Sequence, residues 1–134
     1  DDRRLRCGAA LTRNEKVRMP VFAAYTLVFV RDMQRAVAFY RDALGMAVRM
    51  TTPAWSELEI AGATVALHSG REGGGAQEIP LGFKVLNIDA VANAVVDAGG
   101  FIHAPKRQAQ GEPAIIKAGD PDGNVFFLSE GPGA

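Results

Sequence analysis

Hydrophobic and polar positions along the chain follow helical and strand periods in an order that occurs twice. An apolar run over residues 23–30 predicts a strand. Apolar residues at three- and four-residue spacings then predict a helix over 33–44, which Asp32 can cap and Gly45 can end. Short apolar runs beyond it predict three strands, over residues 46–50, 55–60 and 64–68. The first half is therefore expected to form a βαβββ unit.

The second half has the same order of elements. A glycine-rich segment, expected to be a flexible linker over about residues 69–79, precedes a strand over 81–85. A helix is predicted over 88–98 and ends at Gly99 and Gly100. Strands are predicted over 101–104, 114–118 and 125–128, the last after the turn sequence Asp-Pro-Asp-Gly-Asn at 120–124.

This order is an internal repeat. Val30 aligns with Val85 at a spacing of 55 residues, and Gly62 aligns with Gly123 at a spacing of 61. One βαβββ unit cannot cover both faces of its own sheet, so the two units are expected to pair. We expect module one at about residues 20–70 and module two at about 80–131, within a single domain over 20–131.

Composition and charge narrow the class of protein. The 134 residues, 48% hydrophobic, suffice for one domain with a core, and no apolar run approaches a membrane span. Net charge is zero, with no basic stripe for nucleic acid. Cys7 is the single cysteine, so no disulfide can form within the chain. Because no secretory signal is recognisable, a soluble, cytoplasmic protein is expected, with residues 1–19 disordered.

The segment from Val30 to Gly45, with Phe39-Tyr40 before Leu44-Gly45, resembles the helix signature of the vicinal oxygen chelate superfamily. The 120–124 turn also resembles this superfamily of glyoxalases, bleomycin-resistance proteins and extradiol dioxygenases. The resemblance covers about residues 20–131. It implies an α+β fold in which two paired βαβββ modules form a curled mixed sheet with a central cleft and helices on the outer face.

Enzymes of this superfamily hold a metal in the cleft through His, Glu or Gln at up to four strand positions. The resemblance places those positions at Tyr25, Ala66, Pro80 and Phe127. None of the four is a His, Glu or Gln, and three have no side-chain donor atom. We therefore expect no metal and no cofactor.

Strand alternation predicts which residues share the cleft face, defined as the face of each sheet opposite the helices. The predicted lining is aromatic and apolar with a few polar groups, a composition suited to a small organic molecule. Each residue also has a simpler interpretation, as packing or as part of a solvated strand. The predicted ligand-binding residues are Tyr25, Leu27, Phe29, Trp55, Glu57, Glu59, Ala66, His68, Lys84, Phe127 and Ser129.

Three functional hypotheses follow. The first is a metal-free binding protein of the bleomycin-resistance type, which sequesters an aromatic or amphipathic ligand, as in antibiotic resistance. The alternative is a metal-independent isomerase or lyase that uses His68 or Glu57 as the acid-base group. The third is a structural partner with a filled cleft. Whether a reaction is catalysed stays open, and a small organic ligand and a homodimer are the expected partners.

Overall fold

A computed structural model describes residues 10–70 and 77–131, which form three helices and eight strands. A short helix, α1 (Arg13–Arg18), precedes the first module. The first module contains β1 (Thr26–Val30), α2 (Met33–Asp42), β2 (Ala47–Thr51), β3 (Trp55–Ile60) and β4 (Ala63–Ser69). The second module contains β5 (Gln77–Val85), α3 (Ile88–Asp97), β6 (Phe101–Arg107), β7 (Ile115–Gly119) and β8 (Asn124–Glu130).

Each module forms a four-stranded mixed sheet. The strand orders are β1-β4-β3-β2 and β5-β8-β7-β6, so the two sheets have the same topology. In both, the first strand pairs parallel with the last and the remaining neighbours are antiparallel. The predicted α+β fold with two βαβββ modules is confirmed.

The helix ends lie where local chemistry predicts them. The Asp32 carboxylate accepts a hydrogen bond from the Arg35 amide at 3.1 Å, which satisfies one of the free amides at the start of α2. Asn87 caps α3 in the same way through the Ala90 amide, also at 3.1 Å. Gly45 follows α2 with a φ of 72°, in the left-handed region that a glycine adopts without a steric penalty.

Four segments differ from the sequence prediction by three residues or more. Strand β6 continues to Arg107 rather than ending at residue 104. Strand β1 begins at Thr26 rather than at residue 23, and β5 begins at Gln77, four residues before the predicted strand. Within the segment expected to be disordered, residues 13–18 form α1, because Thr12 and Glu15 make a reciprocal capping box. Residues 1–9, the first part of the expected disordered segment, lie outside the described residues. Residues 71–76, part of the expected linker, also lie outside them.

A single hydrophobic core joins both modules. Alternate residues of the central strands point toward the helices, for example Val28 and Leu67 in the first sheet and Leu128 in the second, and all three are fully buried. From α2, the Phe39 ring lies 6.2 Å from the ring of Phe126 in the second module. The module-one helix therefore packs against both sheets.

A buried polar network, which we call the inter-module network, fixes the 120–124 turn against module one. The Tyr40 hydroxyl of α2 donates to the Asp120 carboxylate at 2.6 Å, and both residues are fully buried. Asp120 also accepts from the backbone amides of Asp122 and Asn124 at 2.9 and 3.0 Å. The Asn124 side-chain amide donates to the Phe29 carbonyl of β1 at 2.9 Å. Because these groups satisfy one another, the turn can be buried between the modules.

The adjacent Asp122 completes this network. One of its carboxylate oxygens accepts from the Arg31 amide at 2.9 Å and from the Arg35 guanidinium at 3.0 Å. The carboxylate is nearly buried, whereas both arginine side chains are about half exposed. The turn from module two thus bonds to the N-terminal end of α2 as well as to its core side.

Among the described residues, no helix is long and apolar enough to cross a membrane.

Candidate functional site

Four ring side chains form a connected group on the cleft face of the first sheet, which we call the aromatic cluster: Tyr25, Phe29, Trp55 and His68. The strand register sets most of it, since His68 of β4 lies between Phe29 of β1 and Trp55 of β3 as direct cross-strand neighbours. The His68 ring lies 5.7 Å from each of its neighbours, edge to face. Tyr25, just before β1, extends the group by an edge contact with Trp55 at 5.6 Å.

His68 has an unsatisfied polar atom in this cluster. Its Nδ1 is buried and has no hydrogen-bond partner. A buried polar atom without a partner is uncommon and costly in a folded protein. Nδ1 is therefore enclosed by its neighbours, and its hydrogen-bonding capacity is unused.

The two predicted carboxylates of β3 are both engaged. Glu57 accepts a hydrogen bond from the Trp55 indole at 2.9 Å, which fixes the orientation of the indole ring. Glu59 pairs with the Arg49 guanidinium at 3.0 Å near the edge of the sheet. Glu57 and Glu59 therefore have separate partners and do not act together as one acidic pair.

The four positions where the family resemblance implies a metal do not offer a ligand set. Tyr25 contacts Trp55, Ala66 is fully buried, Pro80 is exposed in β5 and Phe127 is half buried in β8. Among residues 10–70 and 77–131, no group of three or more His, Cys, Asp or Glu could hold a metal ion. The donor atoms present do not fit the metal of the family's enzymes.

The second sheet carries the other predicted residues. Phe127 pairs across the sheet with Lys117 of β7, whose ammonium lies 5.6 Å from the Phe127 ring centre. Ser129 is half buried beside Lys84 of β5, which is exposed. Ring contacts join the four predicted ring residues of the first sheet. Phe127 and Ser129 pair instead with residues of the second sheet.

A cavity of about 380 Å³ lies against Phe127, beneath the connection from β6 to β7. It has an apolar wall that includes Ile115, and three charged residues contribute to it: Arg107, Glu112 and Lys117. The Lys117 ammonium also donates to Glu78 at 2.6 Å, and this hydrogen bond lowers the pKa of the Glu78 carboxyl. The cavity is therefore lined by both apolar and charged side chains.

Sequence reasoning missed the β6–β7 part of this face. Strand alternation over residues 114–118 places Ile115 and Lys117 on the face of Phe127, so these two residues could have been predicted from the sequence. The contributions of Arg107 and Glu112 could not be predicted, because Arg107 lies beyond the predicted end of β6 and Glu112 lies in a connection without hydrophobic periodicity.

Strand alternation over residues 101–104 places His103 on the face of Phe101, and the sequence predicts that this face lies near the helices and that His103 is structural. Instead, the Phe101 ring covers the Cα of Gly119, where an added Cβ would approach it to 2.2 Å. Gly119 pairs with Val125, two residues before Phe127, so Phe101 is on the cleft face. His103 is exposed and its ring lies 6.5 Å from that of Phe101. The register shift between Ile102 and Ala104 accounts for the altered direction.

Solved structures with this fold include several proteins of low sequence identity. A glyoxalase/bleomycin resistance protein/dioxygenase family enzyme from Burkholderia phytofirmans is 18% identical, with a TM-score of 0.66 over 79% of this chain and 95% of the other. A hypothetical protein from S. aureus is 19% identical, with a TM-score of 0.67 over 86% and 98%. No curated protein matches the sequence.

A third similar structure is a mutant of the fosfomycin resistance protein FosX from Listeria monocytogenes, complexed with Mn(II) and 1S,2S-dihydroxypropylphosphonic acid. It is 19% identical and has a TM-score of 0.72 over 85% of this chain and 93% of the other. At these identities the structural likeness shows the fold alone.

The family model described as Glyoxalase/Bleomycin resistance protein/Dioxygenase superfamily matches residues 23–128. This range includes both modules except the last two residues of β8, as well as the aromatic cluster and the inter-module network. The chain therefore belongs to the glyoxalase/bleomycin resistance protein/dioxygenase superfamily.

Proposed function

We propose that this protein binds an aromatic or amphipathic small molecule on the cleft face without transforming it, in the manner of a bleomycin-resistance protein. The observation that carries the proposal is the aromatic cluster, at the centre of which His68 Nδ1 is buried without a partner. An aromatic ligand would add further edge or stacking contacts, each worth about 0.5–1.5 kcal/mol.

The donor set at the family's metal positions supports binding rather than metal-dependent chemistry. Tyr25 and Phe127 present rings where family enzymes place metal-binding side chains, and Ala66 leaves the space between Leu27 and Glu57 without a large side chain. Glu57 holds the Trp55 indole in one orientation. Because the ring is already fixed, less conformational entropy is lost when a ligand binds.

Trp55 provides the test, because it is the sole tryptophan. Purified protein is titrated with bleomycin, fosfomycin and a panel of aromatic antibiotics and metabolites while the indole fluorescence is followed. We expect at least one aromatic or amphipathic compound to change the emission saturably and to remain intact by mass spectrometry. The titration is repeated with EDTA, and the affinity is expected to stay the same.

Two variants locate the binding. Tyr25→Ala should weaken binding by up to about tenfold, which corresponds to one aromatic contact. Phe22→Ala is the matched control, since Phe22 is an exposed aromatic residue three positions earlier that contacts Lys16 instead of the cluster. Equal effects of the two variants would place the ligand elsewhere.

Product formation would overturn the binding proposal. If a compound is converted and His68→Ala abolishes the conversion, the metal-independent isomerase or lyase is the better description. If EDTA abolishes binding or conversion, the protein uses a metal after all.

A further inference from the structure

The approximate twofold symmetry of the two modules reveals a second site. In module two, the 120–124 turn is held against α2 by Tyr40, Asp120 and Asp122. By the repeat spacings of 55 and 61 residues, the corresponding contact in module one is that of the 59–63 turn with α3. At that place most of the polar partners are replaced: Asp122 and Asn124 correspond to Ala61 and Ala63, and Tyr40 corresponds to Val95. Glu59, which corresponds to Asp120, pairs with Arg49 instead.

A cavity of about 360 Å³ lies where the network's counterpart would be, and we call it the seam cavity. On one side it is lined by the 59–63 turn, by Val65 of β4 and by the C-terminal end of α2; on the other it is lined by β5 and by Val91 of α3. Its described lining is mostly aliphatic: Ala43, Leu44, Ile60, Ala61, Ala63, Val65, Leu81, Val85 and Val91, with Phe83 and Gly82.

Three lining groups can interact with a polar atom. Lys84 is exposed and makes no ion pair or hydrogen bond among the described residues, although the other lysine beside a described cavity, Lys117, has Glu78 as a partner. Thr26 and Thr64 also line the cavity, and within the described part of the chain their hydroxyls form no hydrogen bond. An apolar cavity with a few convergent polar groups is typical of a small-molecule site.

We propose that the seam cavity binds a medium-chain aliphatic carboxylate, with its chain among the aliphatic side chains and its carboxylate at Lys84. A water-sized group occupies about 30 Å³ in a liquid, so the cavity accommodates roughly a dozen such groups. The lining lacks the ring pairs of the aromatic cluster, which favours an alkyl chain over a flat ring system. Lys84 is the one cation in the described lining and determines that the head group is an anion.

This site is separate from the one proposed on the cleft face. No residue of the aromatic cluster lines it, and its walls include the C-terminal end of α2 and Val91 of α3. Lys84 is the one residue predicted on the cleft face that also lines this cavity. Binding there depends neither on Trp55 nor on His68. The two proposals can therefore fail independently.

The test uses octanoate and 1-octanol, which share a chain length and differ in charge. Isothermal titration calorimetry of the full chain should show tighter binding of octanoate than of 1-octanol. Lys84→Met keeps the aliphatic stem and should remove that preference by weakening octanoate binding about fivefold, as expected for one exposed charge pair. Lys106→Met, which removes an exposed lysine that pairs with Asp89, should leave both affinities unchanged.

A second pair of variants tests the location. Val91→Phe should fill the cavity and abolish binding of both compounds, whereas Val96→Phe, on the same helix but half exposed and outside the lining, should not. Circular dichroism confirms that each variant is folded. Absence of octanoate binding at millimolar concentration, or unchanged octanoate affinity in Lys84→Met, overturns the proposal.

Discussion

At the scale of single residues, Tyr40 and Asp120 show how a buried polar pair joins the two modules. Burial raises the pKa of Asp120, although the hydrogen bonds that it accepts from Tyr40 and Asn124 lower it. Burial is also the largest cause that raises the pKa of Tyr40 well above its usual value of about 10, and the Asp120 carboxylate adds to it. The phenol thus stays protonated in the folded protein at pH values where a free tyrosine ionises.

Alkaline titration should reveal this shift. The chain has two tyrosines, so in Tyr25→Phe only Tyr40 remains. We expect its absorbance at 295 nm to stay that of a phenol until the protein unfolds. Because the folded-state pKa is the higher one, Tyr40 contributes stability that is complete below about pH 10 and declines as the pH rises toward the folded-state value.

The companion measurement is circular dichroism over the same pH range. A reversible phenolate signal near pH 10 with a native spectrum would show that Tyr40 is not buried beside Asp120. The matched variant Tyr40→Phe should show no late phenolate step from this position and should be less stable by about 1–3 kcal/mol, since one acceptor of Asp120 loses its donor.

At the scale of elements, strands and helices form where the hydrophobic periodicity and the capping residues predict the same element. Helix α2 begins at Met33, directly after its predicted cap Asp32, and α3 begins at the predicted Ile88. The cap of α3, Asn87, was not predicted. Strand β3 has the predicted bounds. Prediction was less accurate for β5, which begins at Gln77, because the polar residues Gln77 and Glu78 pair with β8 through the backbone rather than through an apolar face.

Gly100 fixes how closely α3 approaches the second sheet. A Cβ at this position would lie 2.3 Å from the Gly119 carbonyl oxygen and 2.7 Å from the Phe39 ring. Gly100→Ala should therefore lower the free energy of unfolding by about 1–3 kcal/mol. Chemical denaturation measures this value.

Gly82→Ala is the control for this prediction. Its Cβ would lie 3.8 Å from Phe127, an ordinary contact, and its backbone does not require a glycine. A cost for Gly82→Ala as large as that for Gly100→Ala would show that loss of glycine, and not the clash, is responsible.

At the scale of the whole molecule, the cleft face is open. Tyr25 is 54% exposed, Leu27 37% and Met50 42%, and all three lie on this side of the first sheet. Exposed apolar residues at neighbouring positions are typical of a surface that another molecule covers. Because symmetric homodimers are the most common oligomers, we expect a second copy of the chain to cover part of this face.

Light scattering after size exclusion should give twice the mass of one chain. Leu27→Glu places a charge on this surface and should shift the equilibrium toward the monomer. Leu86→Glu is the matched control, because Leu86 is 72% exposed and lies in the connection between β5 and α3. A monomeric wild-type protein, or equal dissociation by both variants, would contradict this expectation.

The sequence by itself determined the two βαβββ modules, the Asp32 cap of α2 and which residue types stand at the positions that the family resemblance indicates. These properties depend on local period, capping chemistry and the identity of single residues. The faces of Trp55, Glu57 and His68 also follow from alternation within regular strands. Where a bulge interrupts alternation, as beside His103, the prediction of the face was wrong.

Only the tertiary structure decided which residues meet between modules. Tyr40 and Asp120 are 80 positions apart, and no local pattern indicates that they form a hydrogen bond. Trp55 and Glu57 are two positions apart, yet their bond depends on side-chain directions that the register of β3 with β4 sets. The cavities at Phe127 and at Val91 exist because of how sheets and helices pack, and packing is a property of the whole chain.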